Sequence, residues 1–113
     1  MRIVVTYDNG AIGAHFGHTE EFKVYNVQGG EVVSSEVVST NGKGHRELIP
    51  VVAALSPDVV ICGGVGRPMM QAIQELGCEL WYGQTGDADQ VVKAYLESAL
   101  VNDESAVHSC HSK

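Results

Sequence analysis

Apolar positions along this chain follow two periods, and the change from one to the other sets the order of its elements. Arg2–Tyr7 (RIVVTY) is an unbroken β-branched run, the mark of a strand covered on both faces. After a glycine-rich loop come two more β-rich runs, Glu21–Val27 and Glu31–Val38, separated by Gly29-Gly30, a two-residue hairpin signal. The second and third strands are therefore expected to be antiparallel. The turn formers Ser39–Gly44 then break the strand pattern. Beyond them Leu48, Ile49, Val52 and Leu55 recur at helical spacing, with Pro50 acceptable only near the first turn. Ser56-Pro57 stops this helix, and Asp58–Cys62 (DVVIC) reads as a short buried strand. A second helix carries Met69, Met70, Ile73 and Leu76, with Pro68 suited to its first position and Gly77 to its C-terminal cap. Glu79–Tyr82 reads as the last strand. In the last helix Val91, Val92, Tyr95, Leu96 and Ala99 form the apolar stripe, and Asp87 with Gln90 has the spacing of a capping box.

Three strands followed by helix, strand, helix, strand, helix, joined by right-handed crossovers, predict a five-stranded mixed sheet. Its order is 3-2-1-4-5, with strand 2 antiparallel and helices on both faces. Residues 1–100 form one domain in this reading, and 101–113 a flexible tail containing cysteine and histidine. Four connections then meet on one edge of the sheet: the loop after the first strand, the segment around His45, the turn after Cys62 and the Gly83–Gly86 loop. Strands one and four are neighbours whose connections leave in opposite directions, which is the switch point where open α/β sheets take their ligands.

Composition narrows the field. With 113 residues, 44% hydrophobic and 19% charged, the chain is globular. A net charge of −7, from 7 basic and 14 acidic residues, argues against nucleic acid as a partner. No run is long enough to span a bilayer, so a membrane is not expected as a partner either. Three widely spaced cysteines, Cys62, Cys78 and Cys110, behind an N-terminus that enters a strand at once, suggest a cytoplasmic protein with thiols free to act as ligands.

The predicted edge is rich in soft ligands. His15 and His18 bracket Phe16 and Gly17 in the loop HFGH, His45 precedes the first helix, and Cys62 ends the fourth strand. Imidazole and thiolate suit soft transition metals and metal–sulfur clusters. Gly63, Gly64 and Gly66 lead into a helix N-terminus beside Arg67, a place where backbone amides attract an anion. Cys110 and His111 are adjacent soft ligands in the tail. Their spacing matches no closed zinc site.

The segments HFGH, GKGH, DVVICGGVG and GCELWYGQTGDADQVVKAYLESAL, in this order, resemble the dinitrogenase iron–molybdenum cofactor biosynthesis family over Met1 to about Leu100. The resemblance implies a ribonuclease-H-like α/β/α fold. It also implies non-catalytic binding or carrying of iron–molybdenum cofactor, its precursor, or a related iron–sulfur or molybdenum–sulfur cluster, with cluster donor and acceptor proteins as partners. The family's HFG histidine falls on His15 and its turn glycines on Gly63, Gly64 and Gly66. His18 is an additional candidate ligand. Cysteine and histidine near the C-terminus also occur in stand-alone members, and a related type carries a molybdenum–copper sulfide cluster. The competing expectations are a metal-free regulatory or scaffold module and a two-metal nuclease using Asp8 and Glu47. The nuclease is disfavoured because Cys62 stands where a carboxylate is needed for hard Mg²⁺.

Overall fold

The computed structural model describes residues 1–42 and 47–97, together with the backbone of residues 107–108. In chain order the strands are β1 (Arg2–Asp8), β2 (Ala11–Ile12), β3 (Glu21–Gln28), β4 (Glu31–Ser39), β5 (Val59–Ile61), β6 (Val65–Gly66), β7 (Glu79–Trp81) and β8 (Val107–His108). The helices are α1 (Leu48–Leu55), α2 (Arg67–Glu75) and α3 (Ala88–Leu96), and a single 3₁₀ turn covers Phe16–His18.

The main sheet has the order β4-β3-β1-β5-β7, which is the expected 3-2-1-4-5 with the short strands set aside. β1 is antiparallel to β3 and β3 to β4, whereas β5 lies parallel to both β1 and β7. Alternation along the strands divides the core into two layers. Val4, Phe22, Val24, Val60 and Leu80 pack with Leu48 and Val52 of α1 and with Met69 and Ile73 of α2. Ile3, Val5, Tyr25, Val59 and Ile61 pack on the opposite face with Ala88, Val91 and Val92 of α3. The molecule is thus a three-layer α/β/α sandwich, and β1, covered by helices on both sides, needs the unbroken apolar run its sequence shows.

Local details follow the side chains. Asp87 caps α3, its Oδ2 accepting from the Gln90 amide at 3.0 Å. Pro50 is the third residue of α1, in the first turn, where no intrahelical amide is lost. α2 begins at Arg67, one residue before the expected Pro68, so the proline occupies its second position. The helix ends at Glu75, and Gly77, at φ +88°, takes the left-handed conformation after it and donates to the Gln74 carbonyl at 3.0 Å.

Three short strands depart from the expected pattern. β2 folds back antiparallel on the end of β1, pairing Tyr7 with Ile12 and Asp8 with Ala11. β6 and β8 form a separate parallel ladder that pairs Val65 with Val107 and Gly66 with His108. Among the described residues no helix is long and apolar enough to cross a membrane.

Candidate functional site

The loop after β1 and the turn after β5 are joined by backbone hydrogen bonds. Gly64 donates to the Ala14 carbonyl at 2.7 Å, and Phe16 donates to the Gly64 carbonyl at 2.9 Å. His15, in extended conformation (φ −134°, ψ 119°), is thereby held as a parallel bridge opposite Gly64. The third loop is bound to the same turn, since Gly83 donates to the Gly63 carbonyl and Gln84 to the Cys62 carbonyl, each at 3.0 Å. Ile12 donates to the Gly86 carbonyl at 2.9 Å and closes the set. Three of the four connections expected on this edge are therefore bonded to one another. The fourth, around His45, lies outside the described residues.

Glycine at position 63 is a steric requirement. A β-carbon there would lie 2.5 Å from the Gly13 carbonyl oxygen and 2.9 Å from that of Ala14. Both are backbone atoms, so the two loops reach hydrogen-bonding distance only because position 63 has no side chain.

Phe16 and the histidines on either side of it have different roles. Phe16 is 1% exposed and packs into the α1/α2 layer against Phe22, with ring centroids 5.9 Å apart. The 3₁₀ turn that follows is pinned by Thr19, whose hydroxyl donates to the Phe16 carbonyl at 2.6 Å. With the phenyl ring anchored in the core, the two flanking imidazoles remain exposed, with ring centroids 5.9 Å apart. Both line an open pocket of ≈ 460 Å³ together with Gly13, Ala14, Asp8, Glu20 and Glu21. The 3₁₀ turn packs against β6, which leads directly into α2. The N-terminus of α2 has no capping side chain and no acidic residue in its first turn, and Arg67 there is exposed. The imidazoles thus sit on a turn packed against the strand that leads into a helix end with no acidic residue in its first turn.

Cys62 is not at the surface of this site. Strand alternation places its side chain with Val60 in the α1/α2 layer, fully buried. Burial pushes its thiol up to about 12, so at neutral pH the sulfur is a protonated core atom. Its backbone amide and carbonyl, bonded to Trp81 and Gln84, are what it adds to the edge. Gly64 lies opposite His15, Gly63 precedes it in the same turn, and Gly66 ends β6 at the start of α2. Cys110 and His111 lie outside the described residues. The β6–β8 ladder, which the polar C-terminal sequence did not predict, brings the chain at His108 alongside Gly66. Among the described residues no three His, Cys, Asp or Glu side chains are grouped to hold a metal ion, so His15 and His18 stand as a pair.

An open α/β/α sheet with a histidine loop bonded to a glycine turn at its switch point places this chain among small three-layer α/β domains. Within that class, this chain belongs to the dinitrogenase iron–molybdenum cofactor family, whose model matches residues 1–98. It is 22% identical over 105 residues to MJ0580, an uncharacterised protein of Methanocaldococcus jannaschii, covering 88% of this chain and 89% of that one. The crystal structure of PH0822 superposes with a TM-score of 0.86 at 24% identity, covering 94% of this chain and 97% of the other. The apo form of the orange protein from Desulfovibrio gigas superposes at 0.77 with 23% identity, covering 90% and 92%. At these identities the two solved structures show a shared fold.

Proposed function

We propose that this protein binds or carries an anionic metal–sulfur cluster (iron–molybdenum cofactor, a precursor, or a related iron– or molybdenum–sulfur species) without catalysing a reaction on it. The observation that carries this reading is the backbone bridge between His15 and Gly64, which holds two exposed imidazoles beside the turn entering α2. Family membership supports the cargo class.

The chemistry of the pair supports a cluster over a bare ion. A tetrahedral ion needs four ligands, and the described residues offer two imidazoles. A preassembled cluster brings its own sulfide and needs only an open metal position or two. Its negative charge is met by the uncapped amides of α2 and by Arg67. In this reading His15 and His18 are the ligands, Gly63, Gly64 and Gly66 allow close approach, and Phe16 and Gly17 shape the loop. Cys62 supports the turn from the core. Cys110, His111 and His45, outside the described residues, are further candidate ligands in this reading. Cluster donor and acceptor proteins are the implied partners.

The test is anaerobic titration with isolated iron–molybdenum cofactor and, separately, with tetrathiomolybdate. Binding of at least one is expected, weakened at least tenfold in the His15→Ala/His18→Ala double variant. Equal affinity of wild type and variant for every species that binds, or binding of none, overturns the reading.

A further inference from the structure

We infer that His108 is a further imidazole ligand of the cluster, placed across Gly64 and Gly66 from His15, an assignment that rests on the function proposed above. The backbone around β6 carries it. Gly64 donates to the Ala14 carbonyl and accepts from the Phe16 amide, so both of its backbone groups are used on the His15 side. β8 pairs with the next two residues, Val65 and Gly66. Backbone groups of successive strand residues point to opposite edges, so β6 runs between the His15 segment and β8. Three parallel segments therefore lie side by side, at 14–16, 64–66 and 107–108.

Register decides which residues share a face, because positions alternate along each strand and in-register partners have the same parity. His15 is opposite Gly64, and His108 is opposite Gly66, two residues further on. These four positions share one parity. The other parity is marked by Phe16 and Val65, each 1% exposed and both packed in the α1/α2 layer. Val107, opposite Val65, has this core parity, and the histidine after it has the open one. A slip of one residue would exchange them. Backbone conformation does not require glycine at 64 or 66. Gly66 is extended, at φ −74° and ψ 149°, and Gly64 is not among the described residues at positive φ. What the two alternate glycines provide is a strip of bare backbone on the open face, between two histidine positions.

Strands lie about 4.8 Å apart, which puts the chains at His15 and His108 about 10 Å apart across β6, with an offset of about 6.5 Å along it. That separation suits a multinuclear cluster seated on the strip. His15 and His18 belong to one loop, on one side of the strip, and His108 adds a ligand from the other side. The strip ends at the uncapped amides of α2, which meet the cluster's negative charge.

Anaerobic titration of the whole chain with iron–molybdenum cofactor and with tetrathiomolybdate, followed by metal-edge X-ray absorption of the loaded protein, tests the ligand. His108→Ala is expected to weaken binding at least fivefold and to leave fewer imidazole nitrogens on the metal than in wild type. An unchanged nitrogen count in His108→Ala, whatever its affinity, overturns the inference and leaves His15 and His18 assigned. Wild type that binds neither species overturns the function proposed above and this inference with it. The placement is tested without cargo, in a Cys110→Ser background where Cys62 and Cys78 are buried. Under copper–phenanthroline oxidation Gly66→Cys/His108→Cys is expected to form an internal disulfide several-fold faster than Gly66→Cys/Val107→Cys, because in-register partners share a face and fall within disulfide range. Equal rates overturn the placement and the inference with it.

Discussion

Cys62 shows how one residue type admits two chemistries that only position separates. The run DVVIC is apolar at every position, so nothing in its pattern says which residues face α1 and α2 and which face α3. Pairing with β1 and β7 sets that parity and puts the thiol beside Val60 in the core. The consequence for stability is directional. The unfolded thiol titrates near 9.0 and the native one near 12, so between those values the native state keeps a proton that the unfolded chain has released. Stability falls across that window, by up to ~1.4 kcal/mol per pH unit for one such group, and Cys62 has no effect on the pH dependence below it. Cys78 is shifted in the same direction by burial. Tyr95, pushed up to about 12 by burial and its hydrogen bond to Glu79, joins from its ordinary value of 10.0. Urea unfolding followed from neutral to alkaline pH should show the decline starting near pH 9, and Cys62→Ala should reduce the slope below pH 10. An unchanged slope would mean that this thiol titrates normally in the native state.

At the scale of elements, the important joint lies between the loop after β1 and the turn after β5. The sequence predicted that these would share an edge, because the hairpin at Gly29-Gly30 and the handedness of the crossovers leave little choice of order. It did not reveal how tightly they join. Two glycines in a row indicate a sharp turn, whereas the 2.5 Å approach to the Gly13 carbonyl depends on tertiary placement. Gly63→Ala should force the loops apart and destabilise the fold by about 1–3 kcal/mol, the usual range for inserting a methyl where there is no room. Chemical denaturation measures this, and a loss below about 0.5 kcal/mol would show that the loops can separate without consequence. The same placement explains HFGH. Its letters suggest a polar connection, but Phe16 enters the core and makes the segment a 3₁₀ turn with imidazoles on its outside. Pairing of β8 with β6 had no sequence signal, because a two-residue parallel ladder needs no hydrophobic period.

For the molecule as a whole, the architecture concentrates unusual chemistry at one end of a conventional sandwich. The parallel strands β1, β5 and β7 end together, so a histidine loop and a glycine turn almost fifty residues apart in sequence become hydrogen-bonded neighbours. Sheet order and the presence of helices on both faces were legible because they depend on turn chemistry and crossover hand, which are local or topological. The exposed valines of β4 were not, since β-branched residues look alike on an edge strand and in a covered one. The central claim is that the imidazoles of this loop touch the metal of a cluster. It is tested most directly by metal-edge X-ray absorption of anaerobically loaded protein, wild type beside His15→Ala/His18→Ala. The account predicts imidazole nitrogen in the metal's ligand shell and fewer such nitrogens in the double variant. A loaded wild-type spectrum without imidazole, or identical spectra from the two proteins, would contradict it.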